Sequence, residues 1–226
     1  MVNTALPESR QGQPLPRFIA VEGPIGVGKT TLARRLAETF NYDVLLEQAE
    51  ENPFLDRFYQ EPRRFALQTQ LFFLFQRAEQ LRELKQNNLF EQVRVSDFLM
   101  EKDRLFAEVT LDEDEFRLYD NVYQHITLDA PRPDLVIYLQ APTQVLQQRI
   151  QRRGIPREQA IAPEYLNRLN DAYARFFHFY DEAPLLIVNA SDIDIVSSDR
   201  DYQQLLEHAL DIRSGRHYLN PRPLAG

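Results

Sequence analysis

Short apolar runs alternate with longer amphipathic stretches along this chain, and no internal repeat interrupts the alternation. The apolar runs predict five strands, and the amphipathic stretches between them predict helices. The predicted strands cover residues 18–21, 44–46, 90–95, 135–139 and 185–188. This order is typical of an α/β domain, in which helices flank a five-stranded parallel sheet.

The helical stretches and the chain ends complete this plan. The predicted helices cover residues 29–40, 53–87 with a break near Pro62, 99–126 with a turn at 111–114, 143–153, 163–180 and 200–213. Prolines and polar residues dominate both ends of the chain. We therefore expect a flexible lead-in over residues 1–16, one domain over 17–213 and a loose tail over 214–226.

Three acidic residues follow predicted strands. Glu22 ends the first strand, Glu47 follows the second and Asp97 follows the third. Ligands of parallel sheets bind in the crevice beyond the carboxyl ends of the strands. We therefore expect these three carboxylates to converge on one crevice.

The first predicted strand and helix are joined by Gly-Pro-Ile-Gly-Val-Gly-Lys-Thr, from Gly23 to Thr30. This is the P-loop pattern, whose backbone N–H groups and helix N-terminus hold phosphates. Its lysine reaches the β- and γ-phosphates, and its hydroxyl binds Mg²⁺. The predicted ATP-binding residues are Gly23, Pro24, Ile25, Gly26, Val27, Gly28, Lys29, Thr30 and Thr31. The motif does not distinguish hydrolysis of ATP from transfer of its phosphoryl group.

A cluster of arginines follows the fourth predicted strand. Arg149, Arg152 and Arg153 lie three and four residues apart, which places them on one face of a helix end. Gly154 and Pro156 then open a loop. Such a segment suits a lid that closes on phosphates and stabilises charge in the transition state. A solvated basic helix end explains the same pattern equally well.

The composition of the chain excludes several classes of site and of binding partner. The chain has no cysteine, which excludes disulfides and a catalytic thiol, and its four histidines show no metal-ligand spacing. A net charge of −8 argues against a nucleic-acid polymer, although local arginines and lysines can still bind a nucleotide. No stretch reaches the roughly 18 apolar residues of a membrane span, and residues 1–16 lack the apolar core of a signal peptide. We therefore expect a cytoplasmic protein without a membrane partner.

The chain resembles the deoxynucleoside kinase family over roughly residues 17–196. The resemblance includes the P-loop but rests on more specific segments. These are Glu-Glu-Asn-Pro-Phe-Leu at 50–55, Phe58-Tyr59, Phe-Ala-Leu-Gln-Thr-Gln at 65–70, Arg77, Phe106-Ala107, Tyr119, Arg149-Ile150, Arg153-Gly154 and Pro-Glu-Tyr-Leu at 163–166. It implies a P-loop kinase fold with a short arginine-rich lid. It also implies transfer of the ATP γ-phosphoryl group to the 5′-hydroxyl of a deoxynucleoside.

The resemblance assigns the catalytic roles as follows. Glu47 is similar to the acid that activates the 5′-hydroxyl, and a carboxylate can accept the proton and orient the attacking oxygen. Lys29, Arg149 and Arg153 correspond to cations that act on the phosphates. A helix-capping or surface acid is the alternative interpretation of Glu47.

Substrate binding is likewise implied by the resemblance. Tyr59 and Glu158 match the pair that binds the sugar 3′-hydroxyl. Gln68 matches the residue that reads the base edge, since its amide both donates and accepts. Phe106 matches an aromatic that stacks on the base, although plain core packing is an alternative. Arg77 matches an arginine of the substrate cleft, although it could equally be a surface charge.

The end of the third strand departs from the family pattern. Members commonly carry an acid-Arg-Ser triplet there, whereas this chain has Ser96-Asp97-Phe98. Asp97 can still hold Mg²⁺, directly or through water. The arginine is missing, and Lys102 is the candidate to replace it.

Two further departures concern the lid and the base. Ile155 stands where many members have a lid arginine, and Arg152 or Arg157 are candidates to compensate. Phe75 and Lys102 stand where pyrimidine-preferring members use Arg and Asp. This difference favours a purine deoxynucleoside.

Two alternatives to a deoxynucleoside kinase stay open at this point. A nucleoside-monophosphate kinase resembling thymidylate kinase would need a basic site for the phosphate of its acceptor. A catalytically weak nucleotide-binding module would explain the missing arginine. The resemblance also implies a homodimer, and the apolar run at 71–75 is typical of a helix buried on more than one side.

Overall fold

The computed structural model describes residues 15–86, 94–126, 131–191, 193–195 and 198–220, which form a parallel sheet with helices on both faces. The strands are β1 (Phe18–Glu22), β2 (Asp43–Leu45), β3 (Arg94–Ser96), β4 (Leu135–Gln140), β5 (Leu185–Asn189) and β6 (Arg216–Leu219). Their order in the sheet is β2-β3-β1-β4-β5-β6, and every pairing is parallel. The predicted α/β class is confirmed.

The described residues form a sheet of six strands, so the predicted number of five is wrong. The sixth strand, β6, lies in the segment predicted as a loose tail, and its Tyr218 pairs with Ile187 of β5. Hydrogen bonding to β5 orders these residues, a long-range effect that local composition does not show. For the third strand, β3 covers the end of the predicted stretch, while residues 90–93 lie outside the described residues. Most of the predicted lead-in, residues 1–14, lies outside them as well.

The helices follow the predicted pattern closely. They are α1 (Lys29–Phe40), α2 (Leu55–Gln60), α3 (Pro62–Gln86), α4 (Lys102–Thr110), α5 (Glu113–Ile126), α6 (Thr143–Arg153), α7 (Pro163–Phe179) and α8 (Asp199–Asp211). Pro62 separates α2 from α3, because proline fits only the first turn of a helix. Extended backbone at Leu111 separates α4 from α5. Short 3₁₀ turns lie at Ala49–Glu51 and Pro156–Ala160.

The core lies on the two faces of the sheet, and alternate residues of β4 serve each face. Leu135, Ile137 and Leu139 pack with α1, α6 and α8, whereas Val136 and Tyr138 pack with α4 and α7. A strand buried on both faces needs the continuous apolar run seen in the sequence. The paired strands β3, β1 and β4 therefore hold their carboxyl ends side by side, which is where the site is built.

Candidate active site

The P-loop leaves β1 in a conformation that requires glycine. Gly23 has φ +146°, and a Cβ atom at this position would lie 2.5 Å from the carbonyl oxygen of Leu139. Gly26 has φ +83°, and a Cβ atom at this position would lie 2.8 Å from the side chain of Ile150 in α6. The loop is therefore seated tightly between β4 and α6. Since α1 begins directly after it, at Lys29, the helix N-terminus points into the loop, as phosphate binding requires.

Lys29, Thr30 and Asp97 lie together at the mouth of the loop. The Lys29 ammonium donates to the carbonyl of Pro24 at 3.3 Å. Burial and the nearby Lys102 lower the pKa of Lys29 to about 8, against the opposing effect of Glu22, Glu47 and Asp97. The Thr30 hydroxyl donates to Asp97 Oδ2 at 2.5 Å.

The Thr30–Asp97 pair fits the predicted magnesium site. A hydroxyl and a carboxylate are hard oxygen ligands, and Mg²⁺ usually takes one or two protein ligands together with phosphates and water. No group of three or more His, Cys, Asp or Glu side chains suited to a metal occurs among the described residues. The two oxygens of Thr30 and Asp97 therefore match a metal that is shared with a nucleotide.

A cleft opens beside the P-loop, between α2, α3, α4 and the turn at Pro156–Ala160. The structure brings most of the predicted substrate residues into this cleft. Among the residues that line it are Lys29, Thr30, Glu47, Tyr59, Arg77, Asp97, Phe106, Arg153 and Glu158. The cleft also contains Lys102, the candidate for the missing arginine.

Glu47 is fixed on three sides. Its backbone N–H donates to Asp97 Oδ1 at 2.8 Å, and its carboxylate accepts hydrogen bonds from Arg77 and from Lys102 Nζ, the latter at 2.6 Å. Burial alone would raise the pKa of Glu47, but the charges of Arg77 and Lys102 outweigh it and hold the pKa well below its usual range. Glu47 is therefore an ionised carboxylate inside the cleft, and the helix-capping and surface alternatives do not apply.

The two cations that hold Glu47 are themselves buried. Arg77 is 3% exposed and Lys102 is 4% exposed. The alternative interpretation of Arg77 as a surface charge is therefore wrong. Lys102 places a positive charge beside Glu47, the candidate catalytic carboxylate, in a chain that lacks the arginine of the family triplet.

Tyr59 and Glu158 both line the cleft, and the charge of Glu158 acts on the Tyr59 hydroxyl. Burial, followed by the charge of Glu158, raises the pKa of the Tyr59 hydroxyl, so the hydroxyl stays protonated and can donate. The Glu158 carboxylate accepts a hydrogen bond from Arg153. Phe106 lies with its ring edge-on to Tyr173 and with Lys102 Nζ 5.4 Å from its centroid.

The predictions for Gln68 and Phe75 do not fit the structure. Gln68 is exposed on α3 and does not line the cleft, whereas Gln70 is 2% exposed and lines it. Phe75 is 55% exposed, away from the cleft. Gln70 lies seven residues before Arg77, which is two helical turns, so both side chains share one face. This spacing from Arg77 is the signal that identifies Gln70.

The arginines of the predicted lid divide between two cavities. A second cavity lies behind the P-loop, lined by residues 26–28, Thr31, Arg149, Arg152, Arg153, Ser191 and residues 193–195. Arg149 donates to the carbonyls of Val27, at 3.1 Å, and Ala190, at 2.6 Å, and so supports the P-loop from outside the substrate cleft. Arg153 lines both cavities, and Arg157 lines only the substrate cleft of the two.

Glu22 does not reach the cleft, so the expected convergence of three acids is reduced to two. Glu22 is 1% exposed and accepts hydrogen bonds from the backbone of Gly23 and Leu99 and from the hydroxyl of Tyr173. It therefore ties the start of the P-loop to the segment after β3 and to α7.

Residues 19–212 match the model of the family described as deoxynucleoside kinase. The chain belongs to the deoxynucleoside kinase family. Deoxyguanosine kinase from Bacillus subtilis (strain 168) is 34% identical to it over 200 residues, which are 86% of this chain and 97% of that protein. Deoxyadenosine kinase from Dictyostelium discoideum is 30% identical over 201 residues, with coverages of 85% and 80%.

Solved structures of this kinase family share the fold. Deoxyadenosine kinase from M. mycoides with the products dCMP and a flexible dCDP superposes with a TM-score of 0.74 at 26% identity, over 84% of this chain and 97% of that one. The same kinase with bound dATP gives a TM-score of 0.73 at 26% identity, with coverages of 84% and 98%. The implied P-loop kinase fold is confirmed. In the described part of the chain, no helix has the length and apolarity needed to cross a membrane.

Proposed function

We propose that this kinase transfers the γ-phosphoryl group of ATP to the 5′-hydroxyl of a purine deoxynucleoside, with Mg²⁺ bound at Thr30 and Asp97. The observation that carries the proposal is the buried Glu47 carboxylate, held by Arg77 and Lys102 in the same cleft as Lys29 of the P-loop. A fixed carboxylate beside the phosphate cradle can orient a hydroxyl for in-line attack.

The charges of the cleft favour an uncharged acceptor over a nucleoside monophosphate. An acceptor phosphate would need a free cation. Lys102 and Arg77 are already paired with Glu47, and Arg153 is paired with Glu158. Arg157 lies 3.9 Å from Asp56. These pairings support a sugar hydroxyl as the acceptor, bound by Tyr59 and Glu158.

In the proposed mechanism Glu47 hydrogen-bonds the 5′-hydroxyl and aims its oxygen at the γ-phosphorus. As the new P–O bond forms, the bond from the γ-phosphorus to the β,γ-bridging oxygen breaks, ADP leaves, and Glu47 takes up the hydroxyl proton. A carboxylate with a low pKa is a weak base. Glu47 therefore contributes more by orienting the hydroxyl than by accepting its proton. Lys29 offsets the charge of the phosphates. Mg²⁺, when bound, neutralises charge on the β- and γ-phosphates.

Base recognition is assigned to Gln70 and Phe106. The amide of Gln70 offers a donor and an acceptor, which suits two-point pairing with a purine edge. Phe106 offers an aromatic face for stacking on the base. Relatives named deoxyguanosine kinase and deoxyadenosine kinase support a purine base.

The proposal is tested with labelled ATP and Mg²⁺ against the four deoxynucleosides and, in parallel, the four deoxynucleoside monophosphates. We expect product from deoxyguanosine or deoxyadenosine, a lower kcat/KM for the pyrimidine deoxynucleosides and no transfer to the monophosphates. Transfer only to monophosphates would identify the thymidylate kinase-like activity. ATP binding without transfer to any acceptor would identify a nucleotide-binding module and end the kinase proposal.

We also propose a homodimer. Phe75 on α3 and Leu118 on α5 are 55% and 54% exposed, which leaves large apolar side chains on two helices that pack against each other. Burial of such side chains between two copies would be favourable. Light scattering on the protein as it elutes from a size-exclusion column should give about twice the chain mass of 26.6 kDa. A monomeric mass would contradict the dimer without affecting the catalytic proposal.

A further inference from the structure

A second buried ion pair lies beneath the catalytic carboxylate. Arg77, which holds Glu47 through Nη2, contacts the carboxylate of Asp103 through Nη1. Asp103 is 0% exposed and does not line the cleft, so it does not meet a substrate there. Its only described ion-pair partner is the arginine behind Glu47.

These side chains form a balanced group. Among the four side chains in direct ionic contact, Glu47 and Asp103 supply two negative charges, and Arg77 and Lys102 supply two positive charges. Without Asp103, two buried cations would face the single carboxylate of Glu47. An unbalanced buried charge is costly and pulls its neighbours out of place.

The orientation of the Arg77 guanidinium depends on both carboxylates. Neither its Nε nor either carboxylate oxygen of Asp103 has a hydrogen-bond partner among the described residues, so the ion pairs of the two Nη atoms are the contacts that hold the guanidinium. The rings of Phe73 and Phe98 lie 5.0 Å and 5.7 Å from the guanidinium carbon and pack around it. The planar, forked guanidinium can bridge two acids, which the single ammonium of a lysine cannot do in the same geometry.

We propose that Asp103 is a positioning residue for phosphoryl transfer, which acts through Arg77 to fix the Glu47 carboxylate. Adjacent residues of α4 then serve the same carboxylate from two sides: Lys102 contacts it directly, and Asp103 holds the arginine that contacts it. This inference rests on the proposed function of Glu47.

The test is a double-mutant cycle with Asp103→Asn, Arg77→Lys and the double variant, assayed at saturating and limiting substrates. We expect each single variant to lower kcat by about tenfold or more, the usual scale for loss of a supporting residue, with the KM for ATP within about twofold. Because both act on one bridge, the double variant should lose little beyond the worse single variant.

Asp120→Asn is the matched control. Asp120 of α5 forms an Arg–Asp pair with Arg104 of α4, whose Nε lies 2.9 Å from Asp120 Oδ1, and neither residue lines the cleft. This variant should keep the parent kcat. Equal losses in this control and in Asp103→Asn would show a general effect on α4 and overturn the positioning role.

The outcomes separate the two proposals. If the parent phosphorylates a deoxynucleoside but the two single losses multiply in the double variant, the positioning role of Asp103 is overturned and the proposed function stands. If Asp103→Asn does not fold, Arg77→Lys decides alone, because it keeps the charge balance and loses only the bridge. A parent-like kcat in that variant overturns the inference. A parent that phosphorylates no deoxynucleoside ends both proposals.

Discussion

The ATP side and the acceptor side of this site are built in opposite ways. The P-loop is one continuous segment, residues 23–30, whose backbone N–H groups and helix N-terminus are suited to hold phosphate. The acceptor side joins the ends of β2 and β3 to α2, α3, α4 and the turn at Pro156–Ala160. It works through buried side-chain charges centred on Glu47.

This contrast implies different sensitivities. A backbone cradle fails when a Cβ atom blocks it, whereas a cluster of paired charges fails when one partner is removed. We therefore expect variants of the two sides to affect different kinetic constants.

The largest effect is expected for Glu47→Gln. An amide keeps the shape of the side chain but cannot take up the proton of the hydroxyl. We expect kcat to fall by about 10²-fold or more, while the affinity for ATP changes little. Steady-state kinetics and calorimetric titration with ATP check the two constants separately. A turnover equal to that of the parent would remove Glu47 from the mechanism, and a parallel loss of ATP affinity would break the division between the two sides.

The second effect concerns Gly23→Ala on the ATP side. The added methyl group would meet the Leu139 carbonyl at 2.5 Å in a backbone conformation that side chains rarely adopt. We expect a loss of about 2–4 kcal/mol in the free energy of unfolding and at least about tenfold weaker ATP binding. Gly215→Ala is the matched control, since Gly215 also has a positive φ, +72°, but no atom within 4 Å of the added carbon. Equal losses of stability and of ATP binding at both positions would show that the positive φ alone, and not the contact with Leu139, causes the effect.

The same contrast explains how much of the molecule could be predicted from its sequence. The P-loop, the alternation of strands and helices and the break at Pro62 are local patterns, and the structure contains them all. β6 was missed because only its pairing with β5 defines it. A position at a strand end predicts a place in the crevice for Glu22, and it gives no sign of the three groups that donate hydrogen bonds to its buried carboxylate.

The acceptor side was predicted in part, because its members are distant in the chain. Glu47, Tyr59 and Glu158 lie in the cleft as the family pattern implies, but the pattern could not show that Lys102 contacts Glu47. Nothing in the sequence distinguishes Asp103 from an ordinary surface residue, because single acidic residues are common on the exposed faces of helices. Gln70 was missed although its seven-residue spacing from Arg77 was visible.

A third prediction separates Gln70 from Gln68, which differ by two positions on α3. Gln70→Leu should raise the KM for the purine deoxynucleoside by about tenfold, because one hydrogen-bonding group is replaced by an apolar one, and should leave the KM for ATP unchanged. Gln68→Leu should behave like the parent, since Gln68 is exposed. Initial-rate kinetics with both substrates varied would measure this. The reverse result would return base recognition to Gln68.

The smallest effect is expected for Arg149→Gln, because Arg149 supports the P-loop without lining the substrate cleft. Its guanidinium donates to two backbone carbonyls, those of Val27 and Ala190, and these bonds hold the outer side of the loop. Their loss should raise the KM for ATP about threefold to tenfold and change the KM for the deoxynucleoside little. Arg34→Gln, on the exposed face of α1, is the control for loss of a positive charge. A fall in kcat with both KM values intact would instead give Arg149 a direct role in the transition state. The lid arginines would then act on the transferred phosphoryl group together, and the two cavities would not have separate functions.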